Sequence, residues 1–324
     1  MKWGILGTSF ISGVMADAIK GDEQSELYAV AGRNPETLEA FVKQYQPSVN
    51  YSSMDDLLED ESVEVVYIAL PNHLHHEYVE KAAAKGKAIL CEKSLSVDME
   101  KSEQALAAVK EHNVFFAEGL MYLHHPFVHA LLEELEKGTI GEVRSIQASY
   151  VAAISQFVNP ASKGALYNLG CYPASLAHLV LQHQFGDTIF DSYDLQAFGR
   201  HGADSNICES TALFKLNDQV TLQLHTAEDY GLKHGFTILG SKGAITLDTN
   251  PWLPTSTNCL TVEVYETSKQ TREVEAKGDA FHYQVRNIRS AIETGKVTLD
   301  KPCAKPKDSW QIMKLLTDWE KAAS

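Results

Sequence analysis

Lys2-Trp3-Gly4-Ile5-Leu6-Gly7-Thr8-Ser9-Phe10-Ile11-Ser12 joins a short apolar run, a glycine and the first turn of a helix. Lys2–Leu6 reads as a strand. From Phe10 to Lys20, apolar residues fall at Ile11, Val14, Met15, Ala18 and Ile19, which is helical spacing. Small residues at such a turn let the backbone approach a pyrophosphate. The helix N-terminus then offers unpaired N–H groups and a positive dipole end to the anion. The G-x-G-x-x-G spacing would place glycine at Gly7, Ser9 and Ser12, and only Gly7 is glycine. Taken alone, the motif fits a ligand-free turn as well as a cofactor turn. Its place in a strand–helix alternation favours the cofactor reading, with Gly7, Thr8, Ser9, Phe10 and Ile11 as candidate binding residues. A serine nucleophile is disfavoured, because Gly7-Thr8-Ser9-Phe10-Ile11 lacks the last glycine of G-x-S-x-G.

The alternation continues outward from this turn. Leu27–Ala31 reads as a second strand. Asn34-Pro35 supplies a cap and a first helical residue for a helix to about Tyr45. Ser53 caps a short helix through Leu58. Val63–Leu70 is almost wholly apolar, as expected of a parallel strand buried on both faces. Helix Leu74–Lys85, strand Ala88–Cys91, helix Asp98–His112 and strand Val114–Glu118 follow. This order predicts parallel strands with right-handed crossovers: an N-terminal Rossmann-type doubly wound sheet over residues 1–120.

After Gly119 the pattern changes. A helix at Pro126–Lys137 and a strand at Glu142–Ala152 lead to a helical stretch at Tyr167–Gln184. Strands then succeed one another at Ile189–Phe198, Ser205–Lys215, Gln219–Thr226, Gly235–Leu239, Ala244–Leu247 and Leu260–Tyr265, with turns such as Asn217-Asp218 between them. Helices at Ala280–Thr294 and Asp308–Ala323 complete the pattern. Residues 121–324 are therefore expected to form an α+β domain with an open, mainly antiparallel sheet.

Composition narrows the function. The 324 residues suffice for two domains, and 44% hydrophobic with 22% charged residues is ordinary globular usage, which excludes a disordered or collagen-like chain. With 28 Lys+Arg against 43 Asp+Glu the net charge is −15, which opposes non-specific binding to nucleic acid or anionic membrane. No run of about 18 apolar residues is present to span a bilayer, and Met1–Gly7 is too short for a signal-peptide core. Five cysteines, widely spaced and with no CxxC, are expected as free thiols in a reducing cytoplasm. Asn50-Tyr51-Ser52 is then a chance glycosylation match.

Val30-Ala31-Gly32-Arg33-Asn34 ends the second strand with no carboxylate for a ribose 2′-OH, and with Arg33 instead. A guanidinium suits a 2′-phosphate, so NADP is favoured, with NAD still possible. His73, His75 and His76 invite a metal reading. Their i, i+2, i+3 spacing at a helix start does not converge three rings, and no metal is expected.

Trp3-Gly4-Ile5-Leu6-Gly7-Thr8, Ala31-Gly32-Arg33-Asn34, Val65–His75 (VVYIALPNHLH), Cys91-Glu92-Lys93 and Gly164–Pro173 (GALYNLGCYP) occur in an order that resembles the Gfo/Idh/MocA oxidoreductases over nearly the whole chain. The resemblance is to the dihydrodiol dehydrogenase and glucose–fructose oxidoreductase-like branch. It implies a Rossmann domain, a C-terminal domain whose sheet is often used for dimerisation, and NAD(P)-dependent hydride transfer on sugars, cyclitols or vicinal diols. The family's Glu-Lys-Pro maps onto Glu92-Lys93-Ser94. That assigns catalysis to Lys93, and to Glu92 the orientation of Lys93 and contact with the nicotinamide end. Ser94 departs from the pattern. The loop Leu70-Pro71-Asn72, with His75, would lie over the cofactor.

The family's Asp-x-Gly-x-Tyr maps onto Asn168-Leu169-Gly170-Cys171-Tyr172. On a helix, positions 168 and 172 share a face. Tyr172 would be the general acid/base, its phenol pKa of about 10 lowered by the Lys93 ammonium. Asn168, in place of the carboxylate, can bind a substrate hydroxyl but cannot act as a base. Tyr122 and His124 are candidates for lining the substrate site. His178 packs in its helix or edges a pocket. Trp252, Trp310 and Trp319 read as core or interface residues.

The expectation is an NADP-preferring dehydrogenase or reductase of a small polyol or sugar, acting as a homodimer or higher homo-oligomer. Ser94 and Asn168 motivate an alternative, a catalytically impaired NADP-binding sensor or regulatory protein. A second alternative keeps catalysis but reduces a conjugated double bond.

Overall fold

The computed structural model describes all 324 residues, Met1–Ser324. They divide into two compact units. One comprises Met1–Met121 with Phe281–Trp310, and the other Tyr122–Ala280 with Gln311–Ser324.

The first unit begins β1 (Lys2–Leu6), α1 (Phe10–Lys20), β2 (Glu26–Ala31), α2 (Pro35–Tyr45), β3 (Val49–Tyr51) and α3 (Met54–Glu59). It continues β4 (Val65–Ile68), α4 (His75–Ala84), β5 (Ala88–Cys91), α5 (Met99–His112) and β6 (Phe116–Glu118). The six strands are parallel, in the order β3-β2-β1-β4-β5-β6. That order reverses direction between β1 and β4, so the crevice beyond their carboxyl ends is where an open α/β sheet takes ligands. β4 and β5 are buried at every residue, which explains their uninterrupted apolar sequences: helices cover both faces.

The second unit holds α6 (Pro126–Glu136), β7 (Val143–Ala152), α7 (Cys171–Phe185), β8 (Tyr193–His201), β9 (Ile207–Leu216) and β10 (Val220–Ala227). Then come β11 (Leu232–Gly240), β12 (Gly243–Leu247), β13 (Thr257–Val264) and β14 (Ser268–Glu275). The eight strands run in the order β14-β13-β12-β11-β7-β10-β9-β8, antiparallel except for the β7–β10 pair. Alternate residues Phe214, Leu222, Leu224, Ile146, Phe236 and Ile238 are buried on one face of this sheet. Every residue of α7 from Cys171 to Leu181 is buried as well, so α7 lies in the unit's core and shows no amphipathic period.

Three expectations are corrected. The chain does not leave the first unit for good near residue 120. From Phe281, helix α8 (Ala280–Glu293) belongs to it, as does the segment to Trp310, where α9 (Pro306–Ala323) begins. Arg289 on α8 donates to Asp22 at 2.8 Å, and the Phe116 N–H donates to the Val297 carbonyl at 3.2 Å beside β6. Second, no strand begins at Ile189: Asp187–Phe190 is a 3₁₀ turn that buries Ile189 and Phe190, and β8 starts at Tyr193. Third, Leu166–Gly170 is a π turn rather than regular helix. Pro173 has no N–H to give the Leu169 carbonyl, which leaves room for a wider turn there.

Candidate active site

The β1–α1 turn is shaped for close backbone approach. Gly7 has φ +107°, and a Cβ there would stand 2.7 Å from the Ala69 carbonyl oxygen. Only glycine meets both demands. The Gly7 N–H donates to the Ala31 carbonyl at 2.8 Å, fixing the turn against β2. Ser9 caps α1: its backbone N–H donates to Ser12 Oγ at 3.2 Å, and the two hydroxyls lie 3.1 Å apart. Serine at the second and third glycine positions of the motif thus has a capping role. Thr8 Oγ1 shares a hydrogen bond of 2.8 Å with Thr37 Oγ1, Ile11 is half-buried, and Phe10 is 87% exposed. Arg33 is exposed just past β2. Asn34 beside it caps α2, accepting from Glu36 N at 2.9 Å and Thr37 N at 3.3 Å.

Beyond β4, Leu70 and Pro71 are half-buried, Asn72 is buried, and Asn72–Leu74 forms a 3₁₀ turn into α4. His75 is fully buried. Its Nδ1 lies 2.8 Å from the Ser94 carbonyl oxygen and its Nε2 2.7 Å from that of Leu70. Burial lowers its pKa to about 4, against the raising effect of both carbonyls, so the ring is neutral at pH 7 and one N–H donates. Any role of His75 toward a cofactor runs through the two loops it ties together.

Lys93 is half-buried just past β5, and the Lys93–Ser94 peptide is cis. Two buried carboxyls brace this bend. Glu92 Oε1 accepts from the Tyr67 hydroxyl at 2.5 Å, and Oε2 from the Lys93 backbone N–H at 3.2 Å. Glu118 Oε1 accepts from the Leu95 N–H at 3.1 Å. Burial raises both carboxyls above their usual range, Glu118 to about 7, where the Glu92 charge adds to the rise.

In the second unit, Tyr172 is 9% exposed and sits among aromatic rings. Tyr150 meets it edge-on at 5.3 Å, Tyr122 lies at 6.0 Å and Trp252 at 6.2 Å. Tyr122 is fully buried, its hydroxyl 2.5 Å from Ser175 Oγ, so it packs in the core beside Tyr172; His124 is also buried. His178 is a core residue, with Nε2 2.8 Å from Gln311 Oε1 and the ring stacked on Phe190 at 4.3 Å. Trp252 and Trp319 are fully buried, and Trp310 donates to Glu103 at 3.1 Å.

Asn168 is buried, one turn before Tyr172, and its Nδ2 donates to Glu228 Oε2 at 2.8 Å. Gly170 lets this turn close on its neighbours: a Cβ there would be 3.3 Å from Thr226 Cγ2 and 3.4 Å from Trp319 Cζ3. Sequence reasoning missed Glu228 and Glu118. The first follows β10, 60 residues from its partner, and nothing local marks it. The second ends a buried strand with a charge, a signal that was available: at the carboxyl end of a parallel strand an acid is placed for a ligand or a partner.

An oxidoreductase family with an NAD-binding Rossmann fold matches residues 1–120, and the GFO/IDH/MocA C-terminal domain matches residues 128–246. An uncharacterized oxidoreductase of Rhizobium meliloti is 31% identical over 307 residues, covering 91% of this chain and 90% of its own length. The chain belongs to the GFO/IDH/MocA oxidoreductase family. Within the family, dTDP-3,4-didehydro-2,6-dideoxy-alpha-D-glucose 3-reductase of Actinomadura kijaniata is 27% identical, covering 91% of this chain and 89% of its own. Trans-1,2-dihydrobenzene-1,2-diol dehydrogenase of Xenopus laevis is 24% identical, covering 91% and 90%. A solved structure of the 3-ketoreductase KijD10 from Actinomadura kijaniata, in complex with NADP and TDP-benzene, has a TM-score of 0.87 at 24% identity and covers 100% of this chain and 97% of its own. The Rossmann sheet and the mainly antiparallel second sheet are those of this fold. No helix is long and apolar enough to cross a membrane.

Proposed function

We propose that this protein is an NADP(H)-dependent oxidoreductase interconverting a secondary alcohol and its ketone on a sugar, cyclitol or vicinal diol. One observation carries the reading: each unit presents the proton-handling residue that the family resemblance implies. In the first unit that is Lys93, on a bend braced by two buried carboxyls; in the second it is Tyr172, one turn after a polar pair. The residues present also fit the cofactor. Gly7 forms a cradle that a Cβ would fill, the N-terminus of α1 is open to a pyrophosphate, and Arg33 stands where a 2′-phosphate would need a cation.

NADP(H), when bound, supplies or accepts the hydride. Gly7 through Ile11 and the Leu70–Asn72 loop hold its phosphates and nicotinamide end. Lys93 Nζ donates a hydrogen bond to the reacting oxygen. In reduction, Tyr172 Oη gives that oxygen its proton and is reprotonated from water; in oxidation it takes the proton back. Positioning and charge are the protein's contribution.

The relatives named above support a ketone or diol as the substrate. We place the enzyme in the cytoplasm, in keeping with its five free cysteines, and read it as a homodimer or higher homo-oligomer, supported by Phe198, 81% exposed, and Leu213, 45% exposed, on one face of neighbouring strands β8 and β9. The test is cofactor oxidation at 340 nm with NADPH or NADH against ketoses, keto-cyclitols and 3-keto sugars. Turnover of at least one of these, faster with NADPH, is expected. No turnover across the panel contradicts the reading.

A further inference from the structure

Glu228 is unusual among the buried carboxyls of the second unit because it forms no ion pair. Glu134, also buried, is held by Lys137 at 2.7 Å and Arg272 at 2.8 Å. Glu228 is 3% exposed, and its only side-chain hydrogen bond comes from Asn168 Nδ2, 2.8 Å from Oε2. Oε1 has no partner in the protein. The charges facing it are acidic, Asp204 and Asp229. The nearby cation is committed elsewhere: Arg200 Nη1 and Nη2 each lie 2.8 Å from Asp229, and Nε lies 2.9 Å from Glu209. Burial and the two acids hold the Glu228 carboxyl above its usual range, against the Asn168 hydrogen bond.

An uncompensated carboxylate costs stability. A glutamine would keep the bond to Asn168 without that cost, so the fold alone does not account for the acid. The backbone around it is rigid. Its N–H donates to the Cys208 carbonyl at 2.9 Å, and its carbonyl accepts from Ile154 N at 2.8 Å and Ser155 N at 2.9 Å. Glu228 is thus a fixed acceptor, linked through one amide to the turn that carries Tyr172. We infer that Glu228 is the substrate-binding carboxylate of the Tyr172 site, accepting a polyol hydroxyl hydrogen at Oε1 while Oε2 holds Asn168. The inference rests on the function proposed above. It narrows the substrate to a neutral polyol with a second hydroxyl beside the reacting one, and disfavours a sugar acid at that position.

The test measures binding of xylitol and myo-inositol to the NADP⁺-loaded protein by calorimetry, with Glu228→Gln and Glu228→Asp. Glu228→Gln is expected to weaken polyol binding about 10- to 100-fold, the range for a hydrogen bond to a charged group. NADP⁺ affinity should be unchanged, and Tm should hold or rise as the buried charge is removed. Wild-type affinity should fall as acid protonates the carboxyl, and that fall should be absent in Glu228→Gln. Glu228→Asp keeps the charge but shortens its reach, and is expected to weaken binding where Glu228→Gln folds poorly. Unchanged polyol affinity in both variants, or no polyol binding by the wild type, overturns the inference. Turnover separates it from the broader reading. Wild-type turnover with an unchanged KM in Glu228→Gln removes Glu228 alone. Glu228-dependent polyol binding without turnover of any ketone removes the oxidoreductase reading alone.

Discussion

Arg33 stands exposed past β2, where a 2′-phosphate would be met by a guanidinium. Arg33→Ala is expected to raise the Kd for NADPH about 10- to 100-fold, as for a lost charge-assisted bond, while changing that for NADH less than threefold. Nucleotide fluorescence titration reads both, and equal losses contradict the assignment. Glu118 makes a prediction in pH. Its carboxyl titrates at about 7 in the folded chain because of burial, against an ordinary value of 4.5. The folded state therefore holds the proton more tightly, and stability from this group falls as pH rises from about 4.5 to 7. Glu118→Gln removes that dependence, so the Tm of the variant should gain on the wild type across this window and then run parallel to it. His75 and His124, both lowered by burial, act in the opposite direction but equally in both proteins. A Tm difference that is flat with pH contradicts the buried acid. Gly7, Arg33, Lys93 and Tyr172 could be singled out as candidates because each lies in a local pattern. Glu228 could not, since its meaning comes only from Asn168, brought to it by the fold.

On the proposed function, cofactor binding depends most on the β1–α1 turn. Gly7→Ala forces a side chain into φ +107° and within 2.7 Å of the Ala69 carbonyl. It is expected to cost about 1–3 kcal/mol of stability and to weaken both nucleotides together, in contrast to Arg33→Ala. Denaturation and titration of the same variant check this; unaltered nucleotide affinity contradicts the turn's role. Elements with strong local signals were legible: β1, α1, the Asn34-capped α2, and the wholly apolar β4 and β5. The edges were not. Val49–Tyr51 pairs only with β2, and Ser268–Glu275 is an exposed edge strand rich in charge, with no buried face to impose alternation. The π turn at Leu166–Gly170 was not anticipated, although Pro173, inside the helix expected at Tyr167–Gln184, has no N–H to give the Leu169 carbonyl.

Across the whole molecule, the two-sheet architecture followed from the switch between alternating and successive strands. The return of residues 281–310 to the first unit did not. Helix α8 has an apolar stripe like any surface helix, and its partners, among them Asp22 through Arg289, are named by no local pattern. On the proposed function, Lys93 and Tyr172 handle the proton of a nicotinamide-linked redox step. Single-turnover oxidation of bound NADPH by an accepted ketone, followed at 340 nm in the wild type, Lys93→Ala and Tyr172→Phe, tests it most directly. Each substitution is expected to slow the step about 10²- to 10⁴-fold, the range for positioned acid–base groups, while NADPH affinity stays within threefold of wild type. A wild-type rate in either variant, or loss of the bound nucleotide in its place, would contradict it.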